Sequence, residues 1–326
     1  MKLNLFIRRA VEALGALYPP EEARSMVSRL VEEQMGVKPY EVVLEPELEA
    51  APWLDRSLKR LLDGEPLQYV TGVQYFCGRR FKVSPAVLIP RPETEMLVEE
   101  AVKRAKAVAG GLVSGVWGAA GGALESFPAG PRVLDLCTGS GCIAWSVALE
   151  VPEAEVTGMD LSEEALELAS RQFQESRPQK AADLRTNTAE SGVPSPKISE
   201  IEDGCPLFLQ ADVLSGEGMP EGPFDILLAN PPYIRESEKA SMHRNVLEHE
   251  PAMALFVPDE DPLVFYRAIA GHALRLLAPG GWGMVEINEA LGRETAAVFE
   301  EAGLGEIKIY RDFFGKERFV SFVRQA

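Results

Sequence analysis

Cysteine and histidine are scarce: the 326 residues include four of the first and three of the second. Cys77, Cys137, Cys142 and Cys205 contain no Cys-x-x-Cys pair and are too scattered for a disulfide framework. His243, His249 and His272 complete no metal-ligand pattern with them, so no metal is expected. Reduced thiols fit a cytoplasmic protein. No apolar run approaches the ~20 residues that span a bilayer. The first stretch, Met1 to Gly15, lacks an apolar core followed by a small-residue cleavage site, so no leader is expected either. Basic residues are also short, with 33 Lys+Arg against 50 Asp+Glu and a net charge of −17. Residues 1–90 hold 12 of each sign, and the rest hold 21 basic and 38 acidic residues. An acidic region of that size disfavours attraction to phosphates, and no direct nucleic-acid partner is expected.

What is present is ordinary for a globular protein: 46% hydrophobic and 25% charged residues. The length allows two domains. Residues 1–73 read as a small helical bundle. Leu3, Phe6, Ile7, Ala10, Val11 and Leu14 recur at helical spacing. Pro19-Pro20-Glu21-Glu22 opens a second helix with acids in its first turn, and Met26, Leu30 and Val31 form its apolar face. A third helix runs from Ala51 to Leu62. Residues 74–90 read as a hairpin linker centred on Gly78. Residues 91–326 then alternate strand and helix, as a doubly wound, mainly parallel sheet does. Strands are expected at Arg132–Leu136, Glu155–Asp160, Leu207–Gln210, Phe224–Ala229, Gly283–Ile287, Ile307–Tyr310 and Phe319–Val323. Helices are expected from about Glu95 to Val108, Cys142 to Leu149, Ser162 to Phe173 and Pro262 to Leu277. Two Gly-, Ala-, Ser- or Pro-rich stretches, about 109–130 and 174–204, read as insertions.

The most informative segment is Asn230-Pro231-Pro232-Tyr233, which follows the strand Phe224–Ala229. The prolines continue neither a ladder nor a helix, so the backbone after Asn230 is stiff. Its carbonyls and one amide face the region beyond the strand's C-terminal end, where open α/β sheets bind ligands. Such a site suits a flat group bearing an NH2. A Pro-rich turn ending a core strand is the plainer alternative.

Between the first strand of this sheet and the next helix lies Asp135-Leu136-Cys137-Thr138-Gly139-Ser140-Gly141. Its glycines let the backbone approach a ligand at a helix N-terminus. The Gly-Lys-Ser/Thr ending of a phosphate-binding P-loop is missing. Asp160, followed by Leu161, ends the second strand, where a carboxylate can accept from ribose hydroxyls. Asp212, followed by Val213, ends the third and can accept from an adenine amine while Val213 packs on the ring. Three carboxylates, Asp135, Asp160 and Asp212, repel a phosphate and attract a cation. The expected ligand is therefore S-adenosyl-L-methionine rather than NAD, with S-adenosyl-L-homocysteine as its product.

With these residues in view, the chain resembles the protein-(glutamine-N5) methyltransferases of the HemK/PrmC family, which modify peptide chain release factors. The shared segments are Pro66-Leu67-Gln68-Tyr69-Val70-Thr71-Gly72, Ile89-Pro90-Arg91-Pro92-Glu93-Thr94-Glu95, the Asp135–Gly141 turn and Asn230-Pro231-Pro232-Tyr233-Ile234. Glu250-Pro251 with Ala254-Leu255, and Arg311-Asp312 with Glu317-Arg318, complete the set. The resemblance implies a class I S-adenosylmethionine-dependent methyltransferase fold, Rossmann-like, behind a helical substrate-docking domain. It implies class I release factors as substrates and the glutamine of their Gly-Gly-Gln motif as the acceptor. Asn230, Pro231, Pro232 and Tyr233 would hold that glutamine. Arg91, Pro92, Thr94, Asp135, Cys137, Thr138, Gly139, Ser140, Gly141, Asp160, Leu161, Asp212, Val213 and Asn230 would hold the methyl donor. One departure is Cys137, where the family usually has Gly. A cysteine there is expected to keep the loop in an ordinary, negative-φ conformation.

Within that reading, the Asn230 side-chain oxygen and the Pro231 carbonyl accept the two N–H bonds of the glutamine amide. Tyr233 packs against the amide plane. Arg91 to Thr94 form either a lid edge or simply a helix start, and Glu250 either orders a loop or is a solvated acid. The rivals are a nucleic-acid N6-adenine or N2-guanine methyltransferase, which faces the same amine after base flipping, a ribosomal-protein glutamine methyltransferase, and a non-enzymatic adaptor.

Overall fold

The computed structural model describes residues 1–45, 47–110, 130–173 and 204–325. The two expected insertions fall almost wholly outside those residues.

Helix α1 (Leu3–Leu14) buries Leu3, Phe6, Ala10 and Leu14, one face at i, i+3/i+4 spacing. Helix α2 (Pro20–Met35) starts with proline in its first turn, carries Glu21 and Glu22 there, and ends at Gly36 with φ +68°. Short α3 (Pro39–Leu44) has no buried residue and no periodicity to announce it. Helix α4 (Leu54–Leu62) closes the bundle, and α5 (Leu67–Thr71) lies inside the Pro66–Gly72 segment. One apolar cluster joins α1, α2, α4 and Val70. The hairpin follows as β1 (Val73–Phe76) and β2 (Arg79–Lys82), paired antiparallel. Its turn is Cys77-Gly78, both left-handed at φ +48° and +69°.

A 3₁₀ turn, Pro92–Thr94, leads into α6 (Glu95–Ala109). Then come β3 (Arg132–Leu136), α7 (Cys142–Glu150), β4 (Glu155–Asp160), α8 (Glu163–Ser170), β5 (Leu207–Gln210) and β6 (Phe224–Ala229). Beyond the prolines, β7 (Ile234–Arg235) pairs in parallel with β8 (Phe256–Val257), and α9 (Arg244–His249) lies between them. The chain ends with α10 (Val264–Leu276), β9 (Leu277–Glu286), α11 (Gly292–Glu301), β10 (Gly305–Arg311) and β11 (Glu317–Val323). Three expectations change. Helix α8 stops at Ser170, short of Phe173. Strand β9 starts at Leu277, with Pro279-Gly280-Gly281 as an excursion between the paired residues Leu277 and Trp282. Helix α11 was not anticipated, because only Gly292, Thr295 and Phe299 of it are buried and its apolar stripe is thin.

The main sheet has the order β10-β11-β9-β6-β3-β4-β5. Strands β3, β4, β5, β6 and β9 run parallel, and β11 is antiparallel to both of its neighbours. Alternate residues of β3 feed two cores: Val133 packs toward α6 and α7, and Leu134 and Leu136 toward α10 and α11. Both faces are covered, as a parallel sheet requires. From β3 the order runs outward through β4 and β5 on one side and through β6 and β9 on the other. The strand ends around β3 are therefore the topological switch point. Among the described residues, no helix is long and apolar enough to cross a membrane.

Candidate active site

Parallel register brings four C-terminal strand ends to one edge: Cys137–Gly141 after β3, Asp160-Leu161 after β4, Asp212-Val213 after β5 and Asn230 after β6. A cavity open to solvent lies there. Of the expected residues, Arg91, Thr94, Cys137, Thr138, Gly139, Ser140, Asp160, Leu161, Asp212, Val213, Asn230 and Pro232 line it. Pro92, Asp135, Gly141, Pro231 and Tyr233 are not among its walls.

The glycine turn is pinned by its own amides. Thr138 N–H donates to the Met159 carbonyl at 2.8 Å, Gly141 N–H to the Thr138 carbonyl at 2.8 Å, and Gly139 N–H to Asp160 Oδ2 at 2.8 Å. These anchors force the preceding residue round, so Cys137 adopts φ +57°, contrary to the ordinary conformation expected of it. An unbranched side chain bears that strain at about 1–2 kcal/mol. Gly139, at φ +53°, has open space where a Cβ would stand, so no side chain keeps a ligand from its backbone. Gly141 serves packing instead: a Cβ there would come within 3.0 Å of Ala169 and 3.1 Å of Phe208.

The three carboxylates are unequal. Asp135 is fully buried, and burial pushes its carboxyl up to about 7 despite the hydrogen bond from Thr138 Oγ1. It lies behind the turn rather than in the cavity, because it shares the face of β3 that packs under α7. Asp160 is also raised by burial, opposed by the amides of Ser162 and Gly139. Asp212 is held below the usual carboxylate range, chiefly by the Leu214 amide at 2.8 Å. All three still act on one point: after burial, Asp160, Asp135 and Asp212 each push the Cys137 thiol upward. Beside them, Leu161 and Leu214 are half exposed and, with Val213 and Phe265, give the cavity apolar walls. Carboxylates at adjacent strand ends, apolar walls between them and a side-chain-free backbone at Gly139 fit a cationic adenosine such as S-adenosylmethionine.

The Asn230 side of the cavity rests on a buried hydrogen-bond network. Asn230 Nδ2 donates to Thr94 Oγ1 at 3.3 Å, and Thr94 Oγ1 donates to Glu286 Oε2 at 2.7 Å. Tyr233 OH donates to Glu286 Oε1 at 3.0 Å. Asn288 Nδ2 donates to the Tyr233 carbonyl at 3.2 Å. The Tyr233 ring packs with the apolar cluster under β9 and β11. In this arrangement the Tyr233 hydroxyl braces Glu286.

Glu250 is a buried strut rather than a solvated acid. Its Oε1 accepts from Arg91 Nη2 at 2.7 Å and its Oε2 from the Ile89 amide at 3.2 Å. Tyr69 OH donates to the Val87 carbonyl at 2.6 Å, and Gln74 Nε2 to the Pro90 carbonyl at 2.9 Å. The segments Pro66–Gly72 and Ile89–Glu95 are thus tied to the wall formed by Ala86, Val87 and Leu88. Glu286, Asn288, Phe265 and Met253 escaped the sequence reading. A signal existed for Glu286 alone: it is an acid at the end of the apolar strand Gly283-Met284-Val285.

Comparison with known proteins agrees with this geometry. A family model described as a methyltransferase domain matches residues 133–198. A release factor glutamine methyltransferase from Bacteroides thetaiotaomicron is 35% identical over 324 residues, 98% of each chain. The chain belongs to the release factor glutamine methyltransferase family. A second member, from Flavobacterium psychrophilum, is 33% identical over 98% of each chain. The solved release factor-specific protein-(glutamine-N5) methyltransferase from Alicyclobacillus acidocaldarius is 25% identical, with a TM-score of 0.37 over 76% of this chain and 100% of that one. A score that low adds nothing to the assignment. As a methyltransferase of this family, the chain brings the Asn230-Pro231-Pro232-Tyr233 segment after β6 and the cavity at the ends of β3 to β5 to one sheet edge.

Proposed function

We propose that this enzyme moves a methyl group from S-adenosyl-L-methionine to the side-chain amide nitrogen of the Gly-Gly-Gln glutamine in class I peptide chain release factors. The observation that carries the reading is the Asn230 amide, tethered by its Nδ2 at the rim of a carboxylate-flanked cavity. Bound S-adenosylmethionine supplies a methyl group on a positively charged sulfur.

An amide nitrogen is a poor nucleophile because its lone pair is delocalised into the carbonyl. Asn230 Oδ1 and the Pro231 carbonyl accept its two N–H bonds, aim the lone pair and stabilise the positive charge that builds on nitrogen. The stiff Pro231-Pro232 backbone keeps both acceptors in place. Pro232 and Phe265 exclude water from the line of attack, which strengthens those hydrogen bonds. The alkylated nitrogen is far more acidic than the starting amide, so no strong base is required before transfer.

The bundle is the docking platform in this reading. Its α3 leaves Tyr40, Val43 and Leu44 exposed, by 80% at Val43.

Two measurements test the proposal. Labelled methyl donor is supplied with whole release factor, a ribosomal protein and DNA, and mass spectrometry locates the methyl. Label on the Gly-Gly-Gln glutamine is the expected result; label in DNA or the ribosomal protein but not in the factor overturns it. Asn230→Ala is expected to bind the donor almost normally and to lose at least ~100-fold in kcat. Near-normal turnover would remove Asn230 from the chemistry.

A further inference from the structure

Glu286 stands behind the site and does not line the cavity. It is 1% exposed, and both of its oxygens are engaged by hydroxyls that reach it from distant segments. Thr94 comes from the turn before α6, and Tyr233 from the loop after β6. A carboxylate with two hydroxyl donors leaves each hydroxyl no choice of direction. Thr94 has one hydroxyl proton. Once that proton is given to Glu286, Thr94 Oγ1 offers only lone pairs to its other neighbour. Asn230 must then turn its NH2 toward Thr94, which leaves Oδ1 as the end that meets the acceptor amide.

We infer that Glu286 is a positioning residue: through Thr94 its carboxylate sets which way the Asn230 amide faces, and through Tyr233 it braces the backbone that follows the two prolines. The inference rests on the proposed role of Asn230 as an acceptor. It gives the Thr94 of the Arg91–Glu95 segment a task that neither a lid edge nor a helix start supplies. It also explains an acid held in the dry interior of a sheet. Burying an acid is costly unless its oxygens are bonded, and here both are.

Protonation breaks the logic. A neutral Glu286 turns one oxygen into a donor, so one of the two hydroxyls must reverse. The groups around Glu286 are Thr94 and Glu93 before α6, Tyr233 after β6, Arg318 on β11, and Tyr266 on α10, whose hydroxyl donates to the Glu286 carbonyl at 3.1 Å. Burial pushes the Glu286 carboxyl above the usual range, with the bonds from Thr94 and Tyr233 and the charge of Arg318 opposing. The protonated form is the disordered one, so kcat rises with pH as Glu286 ionises.

The test measures kcat and KM separately, at saturating donor and across pH. Glu286→Gln keeps the shape of the side chain but removes one acceptor. It is expected to lower kcat about 10- to 100-fold, with KM for both substrates changed less than about threefold. It should also abolish the acid limb of kcat. Thr94→Ser should retain at least about tenfold more kcat than Thr94→Val. The double variant Glu286→Gln/Thr94→Val should be no slower than the slower single variant, because both cut the same chain. A wild-type kcat in Glu286→Gln, a loss confined to KM, or additive losses in the double variant would each overturn the inference. Should Glu286→Gln fail to fold, equal kcat in Thr94→Ser and Thr94→Val overturns it instead. If Asn230→Ala turns over near-normally, the acceptor role of Asn230 on which the inference rests fails; if Asn230→Ala is crippled and Glu286→Gln is not, only the role of Glu286 fails.

Discussion

Asp135 is held between two demands. The turn needs an acceptor for the Thr138 hydroxyl, and the core around α7 needs the absence of charge. The compromise is a carboxyl raised from 3.8 to about 7. Between those values the folded chain holds a proton that the unfolded chain has lost. Asp135 therefore contributes most to stability below pH 3.8, and the contribution is lost as pH rises to about 7. The slope is about 1.4 kcal/mol per pH unit for one proton. Asp135→Asn should remove that slope, so its urea-unfolding curves, followed from about pH 4 to about pH 8, should depart progressively from those of the wild type. Curves that stay parallel would show that Asp135 ionises normally. The same residue marks a limit of sequence reading. Its place at the end of a strand was legible, but its side faces the helix layer, so below about pH 7 it holds a proton and is not a free anion for a cationic ligand. Cys137 marks another: its residue type argues for negative φ, and the three hydrogen bonds that pin the turn, two of them to β4, overrule it.

At the scale of elements, struts between non-adjacent segments shape the cavity wall. Glu250, at the end of α9, grips Arg91 and the Ile89 amide, and Tyr69, in α5, grips Val87. Glu250→Gln keeps the side chain's size but removes its charge. Arg91 is a third exposed and regains water, so the cost in stability should be about 1–2 kcal/mol rather than that of a stranded buried charge. The larger effect should fall on donor KM, because Arg91 and Pro251 both line the cavity. Steady-state kinetics with varied donor check this; an unchanged donor KM would disconnect the strut from the site. Strands β3 to β6 were legible nearly to the residue, since buried parallel strands are short apolar runs between turn residues. Helices α3, α5, α9 and α11 were not. They are short or thinly striped, and the surfaces they pack against, rather than their own periodicity, hold them.

At the scale of the molecule, the bundle and the sheet each have their own apolar cluster. Polar and aromatic contacts join them. Asn245 Nδ2 donates to Tyr18 OH at 2.8 Å, His243 stacks on Tyr18, and Glu33 on α2 pairs with Arg80 on β2. In the proposed reading, a bundle placed in this way holds the release factor while the Asn230 rim receives its glutamine. Val43→Asp with Leu44→Asp should lower kcat/KM for whole release factor at least about tenfold and leave a short glutamine peptide unaffected. Equal losses on both substrates would assign α3 to folding instead of docking.

Whatever rests on local chemistry could be read from the chain alone: the glycine turn, the acids at strand ends, and the stiff Asn230-Pro231-Pro232-Tyr233 segment, because neighbouring residues set those conformations. What orients Asn230 could not be read in that way. Thr94 and Glu286 lie 192 positions apart, and Asn230 and Thr94 lie 136 apart. Only the packing of α6 against the parallel sheet closes those distances to hydrogen-bond length. A network of that span has no local pattern, since its partners are chosen by the shared low-dielectric space into which they fold and not by their place in the sequence.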